Sequence, residues 1–219
     1  MFTNLPSIAV SAAQKFKRSA SAVADANQGG LPILKLGQQG KEYEGQWVYG
    51  VDNIPLGDRL IAINPATMRE GLVCWKNANP IDRAMVPIGE PRPLESELKD
   101  HGPYKRTSDG WMDTVGFNCV IADEPTIEMT CEGTAKGFHE AWAQIAEMIG
   151  NQLEVQPEFF IPLVKFNSTS YYTKTYDKTI FKAQLAVMDW ADKEGRKLSQ
   201  TAVLTDETAD EEDPEGIFG

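Results

Sequence analysis

Histidine and cysteine are scarce in this chain, two and three residues out of 219, and their placement excludes more than their number does. Cys74, Cys119 and Cys131 are odd in count, far apart and set in apolar stretches, which fits reduced core thiols and excludes a disulfide frame. His101 and His139 are too isolated for a zinc site, and the run HEAW from His139 lacks the second histidine of a metalloprotease helix. No apolar run approaches the roughly 20 residues that span a bilayer. Near the amino end the basic residues follow the short apolar stretch, the reverse of a secretory signal, so a cytoplasmic protein is expected. Phosphate-loop, dinucleotide-binding and nucleophile-elbow motifs are missing. Asp52, Asp58, Asp109, Asp113 and Asp123 are acids a metal-dependent nuclease would draw on, yet no spacing singles them out. The expectation is a non-enzymatic protein that needs neither metal nor cofactor.

Basic residues are absent from one place in particular. Residues 206–219 hold seven carboxylates, Asp210, Glu211, Glu212 and Asp213 among them, with no Lys or Arg, and they finish on the apolar pair Ile217 and Phe218. A tail that only solubilises has no use for two large apolar residues. A docking peptide needs both parts, charge to steer it onto a basic surface and an anchor to fill a pocket. Without those seven acids the formal charge of −11 falls to −4, with 21 basic and 25 acidic side chains in the body. An acidic total therefore does not exclude a nucleic-acid ligand.

Residues 1–30 are rich in Ser, Ala and Asn, end in two glycines and are expected to form an amino-terminal arm. From Leu31 onward, short apolar runs recur about every ten residues between turn signals, the pattern of a β-rich barrel or sandwich. Strands are predicted at 31–36, 43–49, 60–63, 72–75, 117–122, 126–131 and 159–166, with a longer one over about 170–190. Ile127, Met129 and Cys131 alternate onto one face. Residues 80–109 carry five prolines and are expected to be a long loop. One helix is predicted over about 134–149, capped by Thr134 and closed by Gly150, with Phe138, Trp142, Ile145 and Ile149 on a core-facing stripe. The domain is expected to span 31–191, and 192–219 to form a linker and a disordered acidic tail.

The segment SYYTKTYDKTIFK carries the chemical clue of the body. Read as one strand, it places Tyr172, Lys174, Tyr176 and Lys178 on one face, with Lys182 further along. Bases of single-stranded nucleic acid stack on aromatic rings while their phosphates need cations close by, and stacking is worth roughly 1–3 kcal/mol per base. Lys165 with Phe166, and Trp75 with Lys76, repeat the pairing. A Tyr/Lys face is equally acceptable as a solvated hairpin, because Tyr favours strands and Lys blunts sheet edges.

A β-rich body with aromatic and basic strand faces, followed by a polar linker and the tail DEEDPEGIFG, resembles the single-stranded-DNA-binding proteins of bacteriophages. The stretches EGQWVYGVD at 44–52, LIAINPATMREGLVCW at 60–75 and MVPIGEPRPL at 85–94 are similar to an uncharacterised phage family associated with recombination gene clusters. The resemblance implies an OB-like barrel of five or more strands, binding without sequence specificity, and a tail that recruits replication or recombination proteins; a homo-oligomer is compatible with it. In the bacterial counterparts the tail ends on Phe, whereas here Gly219 follows Phe218, which points to phage-encoded partners. The alternatives are a phage-encoded inhibitor or accessory protein acting by protein–protein contact, and a metal-dependent nuclease.

Overall fold

The computed structural model describes residues 30–174 and 177–199. The tail residues named above and Tyr176 lie outside the described residues, as does most of the amino-terminal arm. The chain forms β1 (Leu34–Leu36), β2 (Trp47–Tyr49), β3 (Ile54–Pro55), β4 (Leu60–Lys76), β5 (Asn79–Pro87), β6 (Gly110–Ile121), β7 (Glu124–Gly133), α1 (Lys136–Val155), β8 (Ile161–Thr173) and β9 (Lys178–Ala191). It is a mainly β, α+β fold with a single α-helix among the described residues.

Strand β4 organises the large antiparallel sheet. Its first residues pair with β8 on one edge, its second half pairs with β5 on that same edge, and β6 follows it along the other. The order is β7-β6-β4-β8-β9, with β5 beside the distal half of β4. The predicted strands at 60–63 and 72–75 are therefore one strand of 17 residues. What separates them in sequence is a bulge, where the register with β6 shifts between Asn64 and Arg69 and Pro65 is absorbed without a ladder bond. Asn64 holds the bulge by accepting from the Ala66 backbone N–H, and the Thr67 hydroxyl donates to the Asn64 carbonyl.

Helix α1 lays Phe138, Ala141, Trp142, Ile145 and Ile149 against the sheet, where they meet Phe117, Cys119, Met129, Cys131 and Phe166 in the main core. The Trp142 indole N–H donates to the Gly116 carbonyl at 3.2 Å, so its polar edge is satisfied inside the apolar layer. All three cysteines are buried and free. Burial pushes the Cys131 and Cys119 thiols far up, which leaves them inert. The helix runs six residues past its predicted end because Gly150 sits on an exposed face, where glycine costs only about 1 kcal/mol relative to Ala. Its N-cap is Ala135 rather than Thr134, with no side-chain capping bond.

The sheets do not close into a barrel. No ladder joins β7 to β9 among the described residues; the gap is occupied by α1 and by the small sheet β1-β2-β3. A parallel bridge between Ile33 and Thr130 links that small sheet to β7. On the other side, the Gln38 side-chain amide donates to the Phe181 carbonyl and accepts from the Phe181 N–H, and Gln39 accepts from the Thr179 N–H. Side-chain amides thus substitute for a missing strand along β9. Beyond the expected boundary at 191, Asp192 is buried and accepts from the backbone and guanidinium of Arg196, so the chain stays attached through Ser199.

Candidate nucleic-acid interface

The predicted strand over 170–190 is a hairpin. Strand β8 ends at Thr173, β9 begins at Lys178, and these two residues pair. Opposed residues of an antiparallel pair share a face. Because the pairs across this hairpin join an odd position to an even one, the face that holds even-numbered residues on β9 holds odd-numbered residues on β8. Lys178 and Lys182 therefore share their face with Tyr171 and Lys165, and Tyr172 lies on the opposite one with Thr179 and Phe181. The aromatic and basic face exists, with Tyr171 in the place expected for Tyr172.

Both tyrosines are more than half exposed. The Tyr172 hydroxyl donates to Asp177 across the turn, and this bond raises its pKa above the ordinary tyrosine value. Lys174 stands exposed in the turn itself. Lys165 is 3.0 Å from Asp58, and Lys182 is 2.5 Å from Glu140.

Two predicted elements belong elsewhere. Phe166 is buried, edge-on to Trp47 at 4.9 Å and 6.3 Å from Phe117, so it packs the core and offers no face to a base. It alternates inward because it is five residues nearer the sheet than Tyr171, on the opposite parity. Trp75 and Lys76 end β4 at the far end of the sheet, on the order of 50 Å from Tyr171 at about 3.3 Å per residue. There the Lys76 ammonium donates to the His101 carbonyl at 2.8 Å, tying down the following loop. That loop is shorter than predicted, since β5 takes Asn79–Pro87 from it, with its prolines confined to an edge strand.

Beside the hairpin lies a cavity of about 710 Å³ between β1, the start of α1 and β9. Leu34, Leu36, Trp47 and Phe138 contribute apolar wall, Tyr171 and Ile180 form the hairpin side, and Lys35, Lys136 and Lys182 supply cations. Two glycines shape it. A side chain on Gly137 would meet the Lys182 stem at 2.5 Å, so this glycine lets the lysine lie across the helix start. At Gly45, φ is +73° and a Cβ would meet the Phe181 ring at 2.7 Å, so the loop before β2 can press against β9 only with glycine there. The Trp47 indole N–H then donates to the Asn167 carbonyl at 2.9 Å and the Ser168 hydroxyl to the Gly45 carbonyl at 2.6 Å, which braces the base of the hairpin.

The acids around the cavity are engaged. Glu140 sits below the ordinary carboxylate range because it accepts from Lys182 and feels its charge, with Lys136 at 4.0 Å adding to the effect. Burial raises Glu132, yet Arg69 and Arg83 outweigh it and hold the carboxyl low, at 2.7 and 2.5 Å. Sequence reasoning missed Lys35 and Lys136. The signal for Lys136 in the sequence is no more than its place between small residues in GTAKG.

Of the five acids set aside for a nuclease, three have partners in the fold. Asp58 pairs with Lys165, Asp113 with Arg92, and Asp109 accepts from the Asn77, Lys105 and Arg106 backbone. Among the described residues no cluster of three or more His, Cys, Asp or Glu side chains is placed to hold a metal, and no helix is long and apolar enough to cross a membrane. Comparison with models of known families, with curated proteins and with solved structures gives no match.

Proposed function

We propose that this protein binds single-stranded DNA without sequence preference, by a non-catalytic mechanism, through the Tyr171 face of the β8–β9 hairpin and the lysine-rimmed cavity next to it. The observation that carries the reading is the sharing of one hairpin face by Tyr171, Lys165, Lys178 and Lys182, continuous with Lys35 and Lys136 across the cavity. Between Lys165 and Gln184 the chain has four lysines and one acid, although acids outnumber bases in the whole. That local excess suits a phosphate backbone, and an exposed tyrosine beside it suits a base.

A closed OB-like barrel is not required for this reading. An open sheet with a two-stranded arm extending past β4 presents the same combination of stacking surface and cations. The similarity to phage single-stranded-DNA-binding proteins supports a role in replication or recombination within the host cytoplasm. The acidic tail, complementary in charge to the hairpin, would recruit partner proteins or guard the DNA surface when no strand is present.

Titration of the purified protein with fluorescent oligo-dT at several salt concentrations tests the reading. Binding should weaken steeply as salt rises, because each neutralised phosphate releases counterions. Absence of binding at low salt would remove DNA from the account and favour an accessory protein acting by protein–protein contact.

A further inference from the structure

We infer that the cavity between β1, the α1 start and β9 is a nucleotide subsite, which takes one unstacked base of the bound strand while the neighbouring phosphates lie along its lysine rim. The inference rests on the DNA-binding reading and adds to it a specific place and mode. At about 710 Å³ the cavity is well within the range of small-ligand pockets, roughly 300–1,000 Å³, and exceeds the needs of any single base. Its walls match the two halves of a nucleotide. Over a floor of buried Leu34 and Trp47, the partly exposed Leu36, Tyr171, Ile180 and Phe181 offer contact area to a base, and Lys35, Lys136 and Lys182 stand at the rim where phosphates would enter.

The polar groups at the site explain why no base would be preferred. Base identity is read by free hydrogen-bonding groups on its edges. Here both ends of the Gln38 amide are committed to the Phe181 main chain. Glu132 is held by Arg69 and Arg83, and Glu140 by Lys182. What remains is mostly apolar contact and stacking, which every base satisfies. Tyr171 borders both the hairpin face and the cavity, so a strand following the arm passes the edge of the cavity there.

The test uses 2-aminopurine, whose fluorescence reports base unstacking and capture, both as the free deoxynucleoside monophosphate and as a single substitution in short dT oligomers. The full-length protein should bind the free nucleotide and give one oligomer position a signal distinct from the rest. Ala135→Leu, alone and with Thr134→Leu, fills the cavity lip from positions outside the core. These variants should keep the wild-type unfolding midpoint, lose the free-nucleotide signal and weaken oligomer binding about tenfold, the stacking of one base. Lys35→Ala should weaken the free nucleotide without filling the cavity. If oligomers bind but every position behaves alike and the filled variants match wild type, the subsite is overturned and the DNA-binding reading survives. If no oligomer binds at all, both fall.

Discussion

The two ends of the large sheet are built from similar residues and finished in opposite ways. At the distal end of β4, the loop after β5 is fastened back by its own side chains. His101 pairs with Asp82 at 2.7 Å, Trp111 donates to the Lys99 carbonyl at 3.0 Å, and Arg92 reaches both Glu70 and Asp113. From Ile88 to Asp109 the loop has five acids against four bases, so its charge is nearly balanced, and Arg92 and His101 pair with acids on the neighbouring strands. At the other end, the β8–β9 arm projects beyond β4, carries four lysines to one acid and leaves Tyr171 and Tyr172 more than half exposed. Aromatic and basic residues next to each other in sequence do not define a site. Where they also close a loop they become structure, and only where the fold leaves them facing outward are they candidates for a ligand.

That contrast has measurable consequences, and the largest is at the base of the arm. Phe166→Ala should cost about 3–5 kcal/mol in urea unfolding, the range for a buried aromatic, with oligomer affinity of the folded protein little changed. A large affinity loss without destabilisation would return Phe166 to the ligand surface. Tyr171→Ala should weaken oligo-dT roughly tenfold with an unchanged salt slope, whereas Tyr172→Ala, on the other face, should cost less than about twofold. Equal effects would mean that the hairpin's two faces are not distinguished by DNA.

Acid should loosen the sheet. Glu132 and Asp82 both have folded pKa values below their unfolded ones, Glu132 because Arg69 and Arg83 outweigh its burial, Asp82 chiefly through its bond from His101. Such groups contribute stability above their unfolded values, about 4.3 and 3.9, and the contribution is lost as pH falls through the lower folded values. Unfolding free energy should therefore decline from about pH 5 downward, and Glu132→Gln should flatten the decline; Asp82, 41% exposed, should matter less. One effect is a gain. Glu140→Gln frees Lys182 and Lys136 from a competing carboxylate and should tighten oligomer binding about two- to fivefold at low salt.

Much of the core was legible in the sequence, because period and burial coincide there. Phe138, Trp142, Ile145 and Ile149 on a 3.6-residue stripe, and Met129 and Cys131 on a two-residue one, are buried as their spacing predicts. The site was half legible. Lys178 and Lys182 occupy the face reasoned for them, but the tyrosine was misplaced by one residue. Nothing local in the sequence after Thr173 marks the end of the strand; among the described residues there, Asp177 takes a left-handed conformation, φ +48°. Lys35 and Lys136 could not be found from spacing, because they are 101 residues apart in sequence and come to line one cavity only through the fold.

The central claim is that position on the arm, and not charge alone, makes the DNA surface. Two variants that remove the same charge test it: Lys174→Ala with Lys178→Ala on the hairpin, and Lys105→Ala with Arg106→Ala on the fastened loop. In salt titrations with oligo-dT, the hairpin pair is expected to reduce the slope of log affinity against log salt by about 1.4, at roughly 0.7 per phosphate contact, and the loop pair to leave it as in wild type. Equal slopes in the two variants would contradict the account.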